Sequence, residues 1–471
     1  MRSLFRVFQK GCTWRGGMVF VILLFLIFQI GRSLVILRPM PMALPKGSFL
    51  VNDSKSEKEK NLAVYLVVGG EEWGYLEPCG CSSGLLGGIQ RKDSFLVFLK
   101  GRKKEVFFIE VGDMEDKGGP LGEIKSEFLA RALKQMEIQG LSFGEKELAQ
   151  LSYWKNHLEL PWMATNLDLP KSFSIPKFRK IEKKGITILL FSLLSKEYAT
   201  LAELQGMAFE SPLKGLKKAY KAARKDISGP LLSIVIFHGK DKEMKDLAKG
   251  FPKIPLWINV SGHIMPKKEV QGKNEGEKQW FLLNSRKSKH LWIIGLDKKG
   301  RIANAFSQPL DEHIPDSPRM TELYRQYVQR VRESGLSLKM ASQQTTAGGI
   351  FVGSTRCIQC HPQEGRQWKK TPHSHAFSTL KKKGQHKNPE CLACHTVGYG
   401  FISGFQSEDL TAGLKNVGCE SCHGVGSLHV RSPSRGYGKV TKNTCLKCHT
   451  QENSPHFDYL KYLPKVIHHK K

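Results

Sequence analysis

The chain has 471 residues, 40% of them hydrophobic, too many for a disordered chain and too few for a polytopic membrane protein. Lys and Arg outnumber Asp and Glu by 73 to 43, and the resulting formal charge of +30 points to an anionic partner or surface without specifying a fold. Eleven cysteines are too few for a disulfide scaffold of this length, and eight of them fall after residue 350.

Residues 1–37 read as a signal peptide or signal anchor. Arg2, Arg6, Lys10 and Arg15 precede an uncharged run from Gly16 to Gly31, and no acidic residue occurs before Asp53. A basic flank followed by an apolar run is the layout of an export signal. Arg32 interrupts the run, but Leu34 to Leu37 extend it and a long arginine can snorkel to an interface. No small-x-small cleavage site stands out, which favours a retained N-terminal membrane anchor with its basic end inside. The remaining chain is then expected on the periplasmic side of a bacterial cytoplasmic membrane, anchored there, or exported to the periplasm if the signal is cleaved. Cys12 precedes the apolar run and reads as an unmodified thiol. Residues 38–60, with three prolines and the charged run Lys55 to Lys60, read as a linker.

From residue 61 to 310 short apolar runs alternate with amphipathic stretches. Expected strands are Ala63–Val68, Val106–Val111, Ile186–Leu190, Leu231–Phe237, Ile254–Val260 and Leu291–Leu296. Ile124–Gln139 places Phe128, Leu129, Ala132, Leu133 and Met136 on one helical face. The alternation implies an α/β layered fold. Polar motifs fall at the strand ends, where such folds bind ligands: Glu71-Glu72-Trp73, Gly112-Asp113, Gly144-Glu145-Lys146-Glu147, His238 and Gly262-His263-Ile264-Met265.

In this order, with Gly87-Gly88, these motifs resemble the calcineurin-like metallophosphoesterase superfamily, above all its 5′-nucleotidase branch. The resemblance implies an α/β layered sandwich of metallophosphoesterase type and a dinuclear metal site. By the same resemblance, Asp113 takes the metal-bridging position, Glu145 the Asn ligand's, His238 the lone His's and His263 that of the first His in the last pair. Trp73, Lys146 and Met265 stand where the family has histidines, Lys146 at the catalytic one. One site then keeps Asp113, Glu145, His238 and His263 as ligands for a single divalent metal ion, while the other retains only Asp113 and Glu71. Phosphoryl transfer by a two-metal clamp needs both ions, so the resemblance leads us to expect lost phosphatase activity. The alternative is that these residues are remnants in an inactive scaffold. Cys79 and Cys81, one residue apart, form a strained pair if bridged, so a metal, a modification or a functional thiol pair competes with a plain loop.

Residues 311–350 read as a connecting helix, Asp316 to Ser334, followed by a linker over Gln343–Gly349.

Residues 351–471 contain four copies of one motif: Cys357-x-x-Cys360-His361, Cys391-x-x-Cys394-His395, Cys419-x-x-Cys422-His423 and Cys445-x-x-Cys448-His449. C-x-x-C-H is the attachment signature of c-type haem, in which two thiols on one turn form thioethers and the adjacent His is the proximal iron ligand. Zinc would use the cysteine pairs but leave the recurring His unexplained. Four covalently bound haems in so short a segment must themselves be its apolar interior, giving a mainly α, haem-packed multihaem cytochrome c domain. Candidate sixth ligands are His373, His375, His386, His429, His456, His468 and His469.

The pattern Val352-Gly353-Ser354, Trp368, Thr371-Pro372-His373, Asn388-Pro389-Glu390-Cys391, Cys419-Glu420-Ser421-Cys422-His423-Gly424, Gly426-x-x-His429 and Tyr462-x-Pro464-x-x-x-His468 resembles the tetrahaem cytochrome c-554 family. That family carries electrons from hydroxylamine oxidation. The resemblance implies His373, His429 and His468 as distal ligands and one five-coordinate haem whose open face can bind nitric oxide. His386 could close that face, His375 and His456 belong to the surroundings, and His469 replaces His468 if the terminal register slips by one. The leading expectation is a membrane-tethered relay of electrons between a redox-protein donor and acceptor. A phosphoesterase with an accessory cytochrome, or a docking scaffold that positions the haems, are the alternatives. No nucleic-acid recognition motif is present, and no nucleic-acid partner is expected.

Overall fold

A computed structural model describes residues 62–468 apart from 79–83, 103–104, 116, 171–172, 226, 273–277, 340–342, 344 and 346–347. The expected signal or anchor, the 38–60 linker, Cys12, Cys79, Cys81 and His469 therefore lie outside the described residues. Among the described residues no helix is long and apolar enough to cross a membrane.

The first half of the α/β region runs β1 (Leu62–Gly69), α1 (Ile89–Gly101), β2 (Glu105–Glu110), α2 (Gly119–Gln135), β3 (Gly140–Ser142) and β4 (Trp162–Met163). These four strands pair in parallel, and β13 (His290–Asp297) and β14 (Ile302–Pro309) extend the sheet antiparallel to give the order β14-β13-β1-β2-β3-β4. A two-stranded pair, β5 (Leu167–Asp168) with β8 (Ala208–Phe209), stands apart. The second sheet has the order β11-β12-β10-β9-β7-β6, built from β6 (Arg179–Lys183), β7 (Ile186–Leu194), β9 (Leu231–His238), β10 (Leu256–His263), β11 (Lys267–Gln271) and β12 (Gln279–Ser285).

The sheets pack face to face. Val64, Leu66, Val68, Phe107 and Ile109 of one meet Ile188, Leu190, Ile234, Ile236 and Ile258 of the other in a single buried cluster. The far face of the second sheet is covered too: Phe191, Leu193, Val235 and Trp257 pack against α3 (Pro212–Ala223) and α4 (Asp241–Ala248). A strand buried on both faces reads as a continuous apolar run, which is why β1, β7 and β9 are legible in sequence. The outer strands β6 and β11 are polar and half-exposed, and they escape that signal.

The connecting helix, α5 (Pro318–Glu333), buries Met320, Leu323, Tyr327 and Val331 at helical spacing. It lies on α2, with Phe128 and Tyr327 edge to face at 5.7 Å. Its start is fixed by buried Asp93 of α1, which accepts from Ser317 Oγ at 2.5 Å and Arg319 Nε at 2.8 Å. Helix α2 begins earlier than its periodicity suggests, at Gly119, because Pro120 suits a first turn that lacks hydrogen-bond partners.

Beyond residue 350 the chain forms short helices with a small apolar core: Phe377, Leu380, Leu392, Val397, Phe405 and Leu414. This is far too little burial to stabilise a segment of this size alone, so the fold there needs covalent or cofactor support.

Candidate haem centre and the strand-end site

Each C-x-x-C-H motif lies on a helical turn. Two occupy helices outright, Pro389–His395 and Cys419–His423. In the other two, the amides of Cys360 and His361 donate to the Cys357 carbonyl at 3.2 and 3.0 Å, and those of Cys448 and His449 donate to Cys445 at 3.1 and 2.9 Å. The turn brings both thiols to one side and projects the histidine from the next residue, as thioether attachment with proximal ligation requires. All eight cysteines are unbridged.

The expected distal histidines each face a motif histidine. His361 and His429 have ring centres 6.4 Å apart at 24°, His423 and His468 6.1 Å at 15°, and His373 and His449 6.2 Å at 48°. Two metal–imidazole bonds of about 2 Å, each continued by about 1 Å from nitrogen to ring centre, place two rings about 6 Å apart across one metal. The residues present therefore fit iron ligation on two faces in three places.

The rings are also held in the orientation that ligation needs. Nδ1 of His395 lies 2.8 Å from the Ala376 carbonyl, Nδ1 of His423 2.7 Å from the Gly438 carbonyl, and Nδ1 of His468 2.6 Å from Gln367 Oε1. An oxygen acceptor keeps the proton on Nδ1 and leaves the Nε2 lone pair as the ligand atom. His386 lies against Phe377 edge to face at 6.4 Å. His375 and His456 are exposed.

The motifs lie close enough for their thiols, which stand in for thioether sulfurs, to influence one another. Cys357 is within hydrogen-bonding reach of Cys419, Cys394 is within reach of Cys448, and Cys422 lies close enough to Cys445 for their charges to interact. Buried Glu420 ties the third motif to the approach of the first, accepting from the amides of Val352 at 3.0 Å, Gly353 at 2.7 Å and Gly426 at 2.8 Å.

Carboxylates beside two motifs are bound by the α/β region. Glu390, one residue before Cys391, takes Lys117 Nζ at 2.9 Å and Lys125 Nζ at 2.7 Å. Glu452, three residues after His449, takes Arg286 Nη2 at 2.9 Å and also Lys287. Burial pushes the Glu390 carboxyl upward, but the two lysines outweigh it and hold the pKa below the ordinary value. Tyr324 of α5 accepts from Gln385 Nε2 at 2.6 Å, and a β-carbon at Gly84 would sit 2.7 Å from His456 Nε2.

The strand-end site is different in kind. Asp113 and His238 come together, with Oδ1 and Nδ1 3.5 Å apart. Gly144 packs so closely on both that a β-carbon there would collide with Asp113 and His238. Glu147 organises the loop, accepting from the amides of Asp113 and Gly144 at 2.9 Å and Met114 at 2.8 Å. Glu71 accepts from the Gly262 amide at 2.7 Å, and burial, reinforced by Asp113, pushes it up to about 8. Glu71, Trp73 and Asp113 all have left-handed backbone, at φ 55°, 50° and 57°, a strain that persists where a site has been built.

Of the four ligands expected from the sequence, Asp113 and His238 are brought together. Among the described residues no three His, Cys, Asp or Glu side chains converge to hold a metal ion. His263 is engaged with its own strand, Nε2 lying 2.9 Å from Asn259 Oδ1 and 2.8 Å from Ser261 Oγ. Glu145 is paired with Lys146 at 3.2 Å. The replacements for the family histidines meet one another instead: Lys146 Nζ lies 5.4 Å from the Trp73 ring centre, and Arg286 stacks on the same ring at 5.7 Å. Met265 is exposed.

One residue of this site was missed in the sequence. Lys92 is fully buried and bridges Glu110 at 2.7 Å and Glu72. Its position is legible in retrospect, because it lies on one helical face with Phe95, Leu96 and Leu99, an apolar stripe with a cation in it.

Comparison with known proteins finds two separate likenesses. A family described as cytochrome c554 and c-prime matches residues 356–424. Cytochrome c-554 of Nitrosomonas europaea is 33% identical over 101 residues, covering 18% of this chain and 43% of that protein, so the chain spans less than half of this relative. The α/β region is similar in structure to the NAD nucleotidase of Haemophilus influenzae, with a TM-score of 0.50, 12% identity and coverage of 62% of this chain and 63% of the other. A 5′-nucleotidase precursor from Thermus thermophilus gives 0.49 at 17% identity, covering 62% of this chain and 61% of its own. At such identities the nucleotidase likeness concerns the fold. The chain thus joins a metallophosphoesterase-like α/β fold to a cytochrome c554-like segment of the kind that carries covalent c-type haem.

Proposed function

We propose that the protein is a periplasmic tetrahaem c-type cytochrome, tethered to the membrane by its N-terminus, that relays single electrons between a redox-protein donor and acceptor. The observation that carries this reading is the set of three histidine pairs with ring centres 6.1 to 6.4 Å apart, each joining a C-x-x-C-H histidine to one of His373, His429 and His468. Bound haem supplies reversible one-electron chemistry at a potential set by its axial ligands and surroundings. The chain's own part is to hold the ligand rings, fix their tautomers through Ala376, Gly438 and Gln367, and keep neighbouring attachment sites in contact. Three distal histidines for four motifs support one haem with an open face, suited to binding or reducing a small nitrogen oxide. The α/β region has the role of a docking body: its four cations hold Glu390 and Glu452 beside the second and fourth motifs. Hydrolysis of a phosphate ester is the weaker reading, since Trp73 stands where the family has a histidine and Lys146, 5.4 Å from the Trp73 ring centre, stands where it has the catalytic one.

The test is optical and paramagnetic-resonance spectroscopy of the purified protein with and without nitric oxide. Four haems per chain, three low-spin with two imidazoles and one responsive to nitric oxide, are expected. A spectrum wholly six-coordinate and low-spin would remove the open face, and the absence of c-type haem would defeat the reading altogether.

A further inference from the structure

Between Glu420 and Glu452 the chain runs 31 residues, 421–451, without an acidic side chain. Arg431, Arg435, Lys439, Lys442 and Lys447 lie in this stretch, and all five are exposed. None of them forms an ion pair with another described residue, whereas the cations of the α/β region that face the cytochrome segment are engaged with Glu390 and Glu452. Unscreened like charges repel, so a row of five costs stability unless something outside the chain compensates it.

The stretch is also pinned against the haem ligands. Tyr437 stacks on the His429 ring at 4.4 Å and 9°, and its hydroxyl donates to the Gly424 carbonyl at 2.6 Å. The next residue supplies the carbonyl that fixes His423. Arg435 and Lys439 therefore flank a point in direct contact with ligands of two haems, and Lys442 and Lys447 border the fourth motif. A surface that carries charge and reaches the redox centres through a single layer of side chains is the part of a cytochrome at which a partner exchanges electrons.

Resting on the electron-transfer reading above, we infer that the 431–447 surface docks an acidic redox protein, which gains or loses one electron through the haems whose ligands lie beneath Tyr437 and Gly438. A membrane surface fits less well. Basic segments that lie on anionic lipid carry apolar residues to bury among the cations. Here the apolar side chains between Arg431 and Lys447 are Tyr437, already stacked on His429, with Val440 and the exposed Leu446 isolated among polar residues, which is not a continuous apolar face.

The experiment compares the full-length holoprotein with the variant carrying Arg435→Glu, Lys439→Glu and Lys442→Glu. Dithionite-reduced protein is mixed in stopped flow with hexacyanoferrate(III) or with hexaamminecobalt(III), each of which takes one electron from one reduced haem. An acidic plant-type ferredoxin is titrated calorimetrically as a protein probe. At low ionic strength the variant should oxidise about tenfold more slowly with the anion and faster with the cation, and should lose ferredoxin binding. Both differences should collapse near 1 M salt, where the screening length falls to about 3 Å. The haem potentials should not move, and a milder Lys439→Gln, Lys442→Gln variant should fall between. Equal rates with both oxidants would overturn the inference. So would a common slowing accompanied by shifted potentials, because the cations would then be serving haem propionates. Loss of binding to anionic phospholipid vesicles with ferredoxin binding intact would assign the surface to lipid instead. A protein with its haem spectrum but charge-blind kinetics defeats only this inference, whereas one without c-type haem defeats the electron-transfer reading itself.

Discussion

Replacing Lys92 by methionine tests how the α/β region tolerates its buried acids. The ammonium group lies between Glu72 and Glu110, all three side chains being at most 1% exposed. One oxygen of each carboxylate, Oε2, has no hydrogen-bond partner. Methionine matches the lysine stem in length and removes only the charge. Taking away one partner of a buried ion pair costs about 3–5 kcal/mol, because the charge left behind is uncompensated. The pH dependence has a definite sign. Burial, aided by the Glu72 charge, pushes Glu110 up to about 8, with Lys92 working against the rise. The folded form keeps its proton longer than the unfolded chain, so stability falls as pH climbs from the ordinary carboxylate range toward 8 and levels off beyond it. Without Lys92 the folded pKa rises further and the fall continues past 8. Lys92→Met should therefore lose about 3–5 kcal/mol at pH 7, and its deficit should widen between pH 8 and 9. Urea unfolding followed by tryptophan fluorescence measures this, with the haem absorbance monitoring the cytochrome segment separately because a chain of two bodies need not unfold in one step. A loss below about 1 kcal/mol, equal at pH 6 and 9, would refute the argument, since buried charges of this kind should not be so cheap to strip.

The histidine pairs make a second prediction. His373→Ala, His429→Ala and His468→Ala should each convert one low-spin haem to high spin, and the triple variant should leave no bis-imidazole signal in paramagnetic resonance. Third, Lys125→Met leaves Glu390 with Lys117 alone, and combined with Glu452→Gln it should open the junction between the two bodies. Limited proteolysis should then separate them at least several-fold faster than the parent, corresponding to about 1–3 kcal/mol of lost charge-assisted bonding. Fourth, the purified protein with millimolar Mn²⁺ should not hydrolyse nucleoside monophosphates, because His263 and Glu145 are engaged elsewhere. Steady phosphate release above background would overturn that expectation.

How much was legible in the sequence depends on how local the signal is. The haem motifs are contiguous, so spacing alone carries their chemistry, and β1, β2, β7, β9 and β13 are apolar enough to be read singly. The pairing of His429 with His361, of His468 with His423 and of His373 with His449 is set by the fold, and the pairs span up to 76 residues of chain. The surroundings of the expected metal ligands are non-local in the same way. A motif lists donors in order but does not say whether Asn259 will hold His263 on its own strand, or whether Trp73 will be stacked between Lys146 and Arg286. Lys92 was within reach: a lysine on the apolar stripe of a helix is a warning that something acidic is buried opposite.

Of the net charge of +30, +11 lies in the cytochrome segment and the rest in residues 1–350. The cytochrome segment, residues 351–471, has only seven acidic side chains against eighteen basic ones. Two of the seven, Glu390 and Glu452, are committed to Lys117, Lys125, Arg286 and Lys287. Those pairs lie beside the second and fourth attachment motifs, whose sulfurs Cys394 and Cys448 are themselves neighbours. The α/β body therefore meets the cytochrome segment beside these two motifs and pairs with the acids there. On the stretch from the third motif to the fourth no described carboxylate forms an ion pair with the cations. An acidic donor or acceptor meeting this protein finds unpaired cations at 431–447, whereas the cations at Glu390 and Glu452 are already engaged with carboxylates. Under the electron-transfer reading proposed above, the α/β body covers one edge of the cytochrome segment and leaves the 431–447 surface to a partner.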